Sequence, residues 1–118
     1  MIKFTILLRR LPALTQQQFI AYHRDQHAAL FLSLPEVKQY VRGYVQSHST
    51  GDEIPGLPPM TFDGASELWF DDMAGLAGVF GAKECMDEIR LDESKFVDTQ
   101  RSEFMLTTDN VVLLKATI

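Results

Sequence analysis

The sequence predicts an α+β domain in which an antiparallel sheet carries helices on one face. Three observations predict it: period-two alternation of apolar residues at the amino end, two segments of helical periodicity, and further strand-like segments after each of them. The element order is β-α-β, a loop, β-α and one or two final strands, which is the order of the ferredoxin-like split βαβ arrangement. A length of 118 residues fits one domain over residues 1–118.

The first strand and the first helix have the clearest patterns. Apolar residues occupy every second position from Ile2 to Leu8, which is typical of a strand with one buried face. Thr15 and Gln18 have the spacing of a helix capping box, and apolar or aromatic residues then recur at three- and four-residue spacing from Phe19 to Leu34. We expect this helix to end before Pro35, because the residue before a proline avoids helical geometry.

The second strand is expected over Val37 to His48, where β-branched and aromatic residues dominate. One face would carry Tyr40, Arg42, Tyr44, Gln46 and His48, and the other Val41, Gly43 and Val45. The glycines and prolines of the segment Ser49 to Gly64 predict an irregular surface loop. Loops of this length are uncommon in compact domains and are often functional.

A third strand and a second helical segment follow the loop. The composition of Ala65 to Phe70 predicts the strand. Asp71 or Asp72 can then cap a helix over Met73 to Phe80. Lys83 to Arg90 predicts a short continuation of that helix.

The C-terminal part contains two more strand candidates, Phe104 to Thr107 and Val111 to Leu114, separated by the turn residues 108–110. Because the helices cover one face of the sheet, the opposite face has no cover within the chain. That open face would carry either the tyrosine side or the valine side of the second strand. We expect a second copy of the chain to cover it, so the sequence predicts a homodimer.

Composition and charge exclude several classes of protein. The chain has 11 Lys and Arg against 16 Asp and Glu, and its longest basic cluster is the pair Arg9-Arg10. Binding to nucleic acid or to an anionic membrane is therefore disfavoured. Cys85 is the single cysteine, no apolar run is long enough for a membrane span, and the basic residues at the amino end follow its apolar run. We expect a soluble, cytoplasmic protein.

His23 and His27 are the first candidates for chemistry, because a spacing of four places both on one helix face. Three readings remain open: both are buried and hydrogen-bonded, the pair binds a metal with His48 or Glu67 as a further ligand, or at least one lines a pocket. No motif fixes a third ligand, so the pattern is weak support for a metal. His27 is the better pocket candidate, since an imidazole exchanges protons near neutrality.

The first helix would direct His27 toward the sheet, where Tyr40, Tyr44 and Glu67 are candidate partners. A phenol can orient a carbonyl or another phenol, and Glu67 is a carboxylate within an otherwise apolar strand. The alternatives are core or dimer packing for the tyrosines and a solvated strand face for Glu67.

Seven short motifs occur in order along the chain: Leu8-Arg9-Arg10, Leu14-Thr15, Phe19 to Leu30, Leu34-Pro35, Tyr40-Val41, Gly64 to Phe70, and Phe96-Val97-Asp98. This order resembles the EthD family, named for ethyl tert-butyl ether degradation, in which a strand ending in basic residues leads to a helix with the pattern F-x-x-Y-W-x-x-x-H. His27 takes the position of the family's histidine, and His23 stands where a tryptophan is usual.

The resemblance implies a dimeric α+β barrel built from ferredoxin-like subunits. It also implies small, mostly aromatic or polyketide-like substrates that are handled without a bound cofactor. Activities in and around the family include lactone isomerisation, ring closure or dehydration of polyketides, and an accessory role in ether-degrading oxidation, so oxidoreductase is a common label.

Several functions are compatible with these residues. An enzyme would use His27 and His23 as catalytic residues and would bind a small aromatic, polyketide-like or lactone substrate through Tyr22, Tyr40, Tyr44, Glu67 and Trp69. The alternatives are a non-catalytic ligand-binding or accessory protein, a haem-binding protein that uses His23 or His27, and an oligomeric scaffold with a filled pocket. The residues alone do not decide whether the chain is an enzyme.

Overall fold

The computed structural model describes residues 1–116 and contains one antiparallel sheet with the strand order β2-β3-β1-β4. The elements are β1 (Ile2–Leu8), α1 (Gln16–Ala21), a π-helical segment (Tyr22–His27), α2 (Ala28–Ser33), α3 (Pro35–Tyr40), β2 (Gly43–His48), β3 (Gly64–Phe70), α4 (Met73–Phe80), α5 (Lys83–Glu93) and β4 (Glu103–Thr107). This confirms the predicted ferredoxin-like α+β fold.

Strand β1 lies in the middle of the sheet and sets its two faces. Phe4 pairs with Leu68 of β3 on one side and with Leu106 of β4 on the other. The even-numbered side chains of β1 and β3 face the helices, as the stacking of Phe4 on Phe80 of α4 shows. The odd-numbered side chains form the open face, which none of the helices within residues 1–116 covers.

The first helix begins and ends where the sequence predicts. The backbone N–H of Gln18 donates to Thr15 Oγ1 at 3.1 Å, and the N–H of Thr15 donates to Gln18 Oε1 at 2.9 Å, which completes the capping box. Helix α1, the π-helical segment and α2 follow one another without a break. The backbone leaves helical geometry at Leu34, directly before Pro35.

The prediction of a strand from Val37 is wrong for its first part. Pro35 occupies the first turn of the new helix α3, where its fixed φ is favourable and its missing N–H costs nothing. Val37 is buried by packing of α3 in the core, so tertiary burial overrides its strand propensity. Strand β2 begins only at Gly43, with Tyr44 on the helix side and Val45 on the open face.

Asp72, rather than Asp71, caps α4: its carboxylate accepts a hydrogen bond from the N–H of Gly75 at 2.9 Å. Helix α5 is a separate helix instead of a continuation, because Ala82 has an extended backbone. The irregular loop after His48 is confirmed, and Gly51 and Gly56 adopt positive φ in it.

Strand β4 is confirmed, but the last predicted strand is not formed. Residues 111–114 belong to no strand, and their side chains are 69–89% exposed. A strand needs a neighbour for its backbone hydrogen bonds, and within residues 1–116 the outer edge of β4 pairs with nothing.

The core consists of two apolar clusters between the sheet and the helices. The larger contains Phe31 and Phe70, and the smaller contains Phe19 and Phe96. His23 and His27 lie where these clusters meet, since both rings contact Phe96 and His27 also stacks on Phe31. No helix within residues 1–116 combines the length and the apolar character needed to cross a bilayer.

Candidate functional site

The π-helical segment places two histidines in the interior. His23 is fully buried and His27 is 8% exposed, with ring centroids 5.9 Å apart. A π-helical turn is uncommon and occurs frequently at functional sites. Here it directs two polar rings into the seam between the helices and the sheet.

Asp92 of α5 is the partner of His27. His27 Nδ1 lies 2.7 Å from Asp92 Oδ2, and the Tyr22 hydroxyl donates to Asp92 Oδ1 at 2.5 Å. Asp92 is 5% exposed, and the Nζ of Lys95 is 3.9 Å from its Oδ1. The buried carboxylate therefore accepts from an imidazole and a phenol at once.

The protonation states follow from this geometry. Burial lowers the pKa of His27, against the hydrogen bond and charge of Asp92, which raise it. Burial raises the pKa of Tyr22 to about 12, and Asp92 adds to the shift. At neutral pH His27 is therefore uncharged, with its proton on Nδ1 facing Asp92 and a lone pair on Nε2.

A small cavity of about 40 Å³ lies beside His27. Its lining residues are Ile6, His27, Phe31, Tyr44, Ser66, Leu68, Phe80, Ile89 and Glu93. A space of this size holds about two or three water molecules or one small group of a ligand. Asp92 is not part of the lining, and among the described residues nothing forms a hydrogen bond with His27 Nε2.

The cavity adjoins a larger groove between α5 and β4. This groove has a volume of about 390 Å³ and shares Ile6 and Glu93 with the cavity. Burial raises the pKa of the Glu93 carboxyl, against the charge of Arg90. Apolar side chains such as Val97 and Phe104 line the rest of the groove together with polar ones.

His23 forms hydrogen bonds through both ring nitrogens. Its Nδ1 lies 2.9 Å from His48 Nε2, and its Nε2 lies 2.8 Å from Ser66 Oγ. Burial lowers the pKa of His23 to about 3, and the charges of His27 and His48 make smaller contributions in the same direction. His23 is therefore neutral and fixed in place.

Tyr44 lies on the wall of the cavity beside His27. Its ring packs edge-on against Phe31 at 5.2 Å, and its hydroxyl accepts from Gln46 Nε2 at 2.7 Å. Burial raises the pKa of its phenol. Its O–H remains a donor for a neighbouring oxygen.

The structure does not bring the other predicted residues to this site. Tyr40 packs against Gly78 of α4, where there is no room for a larger residue. Glu67 and Trp69 lie on the open face of the sheet, where Lys3 Nζ is 2.9 Å from Glu67 and 5.6 Å from the centre of the Trp69 ring. Only Tyr22, His23, His27 and Tyr44 lie together.

Asp92 and Ser66 belong to the candidate site but were not predicted from the sequence. The signal for Asp92 was present, because it follows Cys85 and Ile89 at helical spacing on the buried side of α5. A carboxylate in that position needs a buried partner. Ser66 gave no comparable signal.

The metal and haem readings gain no support from the geometry. Across residues 1–116, no three His, Cys, Asp or Glu side chains are grouped so that they could hold a metal ion. Glu67, a ligand considered from the sequence, is on the other sheet face. The cavity beside His27 is far smaller than a porphyrin.

The fold and site define a ferredoxin-like domain with a buried histidine–carboxylate pair between its helices and its sheet. The chain belongs to the EthD family: the family model described as EthD domain matches residues 11–100. A search of curated proteins found no match.

Several solved structures share the fold. An ethyl tert-butyl ether degradation (EthD) family protein from Bacillus halodurans is 20% identical, with a TM-score of 0.68 over 93% of this chain and 99% of that one. A hydroxynitrile lyase from Passiflora edulis is 13% identical, with a TM-score of 0.64 over 96% of each chain. A dimeric ferredoxin-like protein of unknown function from Thermobifida fusca is 13% identical, with a TM-score of 0.61 over 90% of this chain and 88% of that one.

Proposed function

We propose that the chain is a cofactor-independent enzyme that uses His27 as a general base, and then as an acid, on a small aromatic, polyketide-like or lactone substrate. The observation that carries this proposal is the Asp92–His27 hydrogen bond, which leaves His27 Nε2 without a partner among the described residues beside a cavity. A buried carboxylate that orients an imidazole and stabilises its charged form is a recurring arrangement for proton transfer.

The proton transfer needs only groups of this chain. His27 Nε2 removes a proton from an acidic C–H or O–H of the substrate, and Asp92 stabilises the resulting imidazolium. The charge that develops on the substrate oxygen is stabilised by the Tyr44 hydroxyl, which lines the same cavity. The imidazolium then returns the proton: to another carbon in an isomerisation, to the alkoxide formed when the carbanion attacks a carbonyl of the same substrate in a cyclisation, or to a hydroxyl whose C–O bond breaks and which leaves as water in a dehydration.

The size of the cavity decides how a substrate is bound. About 40 Å³ accommodates only the reacting end of a ligand, whereas the groove of about 390 Å³ between α5 and β4 accommodates its body. Ile6 and Glu93 form the boundary between the two. An apolar ring with one enolisable or phenolic end fits this arrangement.

We further propose that two copies of the chain pair through the open faces of their sheets. Val45 is 46% exposed there, next to the half-buried Trp69 and the Lys3–Glu67 ion pair. Exposed apolar side chains on a sheet face without cover favour association. The similar structure from Thermobifida fusca is described as dimeric, which supports a dimer. The similar structure from Passiflora edulis is a hydroxynitrile lyase, which supports a catalytic role.

The second candidate is a non-catalytic ligand-binding or accessory protein. The small volume of the cavity favours it, because a ligand held mainly in the groove would not reach His27. The same assay separates the two candidates, since binding without proton exchange is expected only of the accessory protein.

The test is deuterium exchange into α-angelica lactone, a small enolisable lactone, followed by proton NMR in D₂O. The wild-type chain should exchange the acidic protons faster than buffer does, and His27→Ala should lower the rate by on the order of 10²-fold. Asp87→Asn on the exposed side of α5 is the control and should exchange as the wild type does. Equal rates for the wild type and His27→Ala would contradict the proposal.

A further inference from the structure

Three hydrogen-bonded side chains form a row between the helices and the sheet. His48 of β2 contacts His23 at 2.9 Å, and His23 contacts Ser66 of β3 at 2.8 Å. His48 is partly exposed, whereas Ser66 is buried and lines the cavity beside His27. This row of hydrogen-bonded side chains therefore connects the protein surface with the cavity.

The two ring nitrogens of His23 give this row of hydrogen bonds a single donor-to-acceptor direction at any one time. When His48 Nε2 offers a lone pair, His23 must donate from Nδ1, and its Nε2 then accepts from the Ser66 hydroxyl. When His48 Nε2 carries a proton, it donates to His23 Nδ1, and His23 Nε2–H then donates to Ser66. A proton gained at His48 thus reverses every hydrogen bond up to Ser66.

We propose that His48, His23 and Ser66 form a proton relay between solvent and the cavity. The inference rests on the proposed function, because the relay supplies protons to the site where His27 acts. A proton enters at His48 Nδ1, the Nε2 proton of His48 moves to His23 Nδ1, the Nε2 proton of His23 moves to Ser66 Oγ, and the original hydroxyl proton of Ser66 passes into the cavity. Each group gains one proton and loses one, so no net charge remains on the relay.

The surroundings of His23 suit a transfer of this kind. Phe19 and Phe96 stack on its ring at 5.6 and 5.7 Å, and Gln46 Nε2 donates to its backbone carbonyl at 2.8 Å. The ring cannot rotate freely between these contacts. Burial strongly disfavours a second proton on His23, which favours loss of the Nε2 proton as Nδ1 gains one.

The charged groups around His48 come from the π-helical segment. Burial lowers the pKa of His48, and the positive charge of Arg24, the residue after His23, lowers it further. Arg24 in turn donates two hydrogen bonds of 2.9 Å to the carboxylate of Asp25. His23 is the only titratable side chain among the described residues that contacts His48 through a hydrogen bond.

The test of the relay uses His48→Gln in the lactone exchange assay. A glutamine keeps a hydrogen bond to His23 but transfers no proton, so a purely structural role of His48 would be preserved. We expect the exchange rate at low buffer concentration to fall roughly tenfold and added imidazole to restore it. Ser33→Ala, at an exposed serine, is the control and should match the wild type. An unchanged rate in His48→Gln, or a loss that imidazole does not restore, would overturn the relay.

A second measurement separates this proposal from the proposed function. In nitrogen-15 NMR of the whole chain, protonation of His48 should move the His23 proton from Nδ1 to Nε2, whether or not the lactone reacts. If the lactone is inert and this tautomer change occurs, the proposed function fails and the relay stands. A His23 tautomer that does not respond to the titration of His48 would overturn the relay.

Discussion

Asp92 Oδ2 lies 2.7 Å from His27 Nδ1, although the two residues are 65 positions apart in the sequence. The contact joins the π-helical segment to α5 beside Phe96, whose ring centroid is 5.0 Å from that of His27. Because Tyr22 donates to the second oxygen of the same carboxylate, the imidazole has one favoured orientation. The reactivity we assign to Nε2 depends on this relationship.

Replacement of this carboxylate should reduce both activity and stability. In Asp92→Asn an amide nitrogen can face His27 and favour the wrong tautomer, so we expect lactone exchange to fall by on the order of 10²-fold. Loss of charge-assisted hydrogen bonds to His27 and Tyr22 should lower the free energy of unfolding by about 1–3 kcal/mol. Kinetics and urea denaturation measure the two effects, with Asp87→Asn as the control. Wild-type exchange in Asp92→Asn would contradict the assigned role.

His23 should make the protein sensitive to acid. Its pKa is about 3 in the folded chain, below its value in the unfolded chain, so between these values only the unfolded state binds the proton. The free energy of unfolding should therefore fall as the pH drops below about 6.5, by an amount on the order of several kcal/mol when fully developed. His23→Phe, which can stack on Phe19 and Phe96, should remove this part of the pH dependence.

The measurement is urea denaturation of the wild type and His23→Phe at about pH 7 and about pH 5. Burial also lowers the pKa of His27, so a smaller dependence in the same direction should persist in the variant. Identical pH dependence in the two proteins would show that His23 is not protonated preferentially in the unfolded state.

The open face of the sheet should carry the contact between two copies. Val45→Glu places an unpaired carboxylate in that contact and should shift the chain toward monomers. Leu91→Glu is a matched control, because Leu91 is an exposed apolar residue on α5. Sedimentation of both variants at micromolar concentration measures the effect. A wild-type chain that is already monomeric, or a fully dimeric Val45→Glu, would contradict the proposed pairing.

The C-terminal segment should contribute to the same association. Residues 111–114 expose four apolar side chains and pair with no strand of the described chain, which favours contact with a second copy. Removal of residues 110–118 leaves β4 intact and should weaken dimerisation more than it lowers the melting temperature. A truncated chain that dimerises as tightly as the full one would count against this contact.

The sequence predicted the elements whose pattern is local. The alternation in β1 and the capping box at Thr15 were sufficient to place the first strand and helix. The start of β2 was misplaced because Val37 is buried by helix packing, which strand propensity does not describe. Whether Val111 to Leu114 forms a strand depends on a partner that local composition cannot identify.

Only part of the candidate site was predicted, because only part of it has a local sequence pattern. Helical spacing placed His23 and His27 on one face, but their partners Asp92, Ser66 and His48 come from three other elements. Glu67 and Trp69 were predicted as site residues because the sequence does not show the register of β3 or which sheet face each of its side chains occupies. Sites assembled from distant segments require the topology before their members can be recognised.

The most direct test of the account is the tautomer and protonation state of His27, measured by long-range nitrogen-15 and proton NMR near pH 7. The account predicts a neutral ring with the proton on Nδ1, bonded to Asp92, and a lone pair on Nε2 that responds when α-angelica lactone is added. A proton on Nε2, or an Nε2 resonance indifferent to the lactone, would contradict the assignment of His27 as the base.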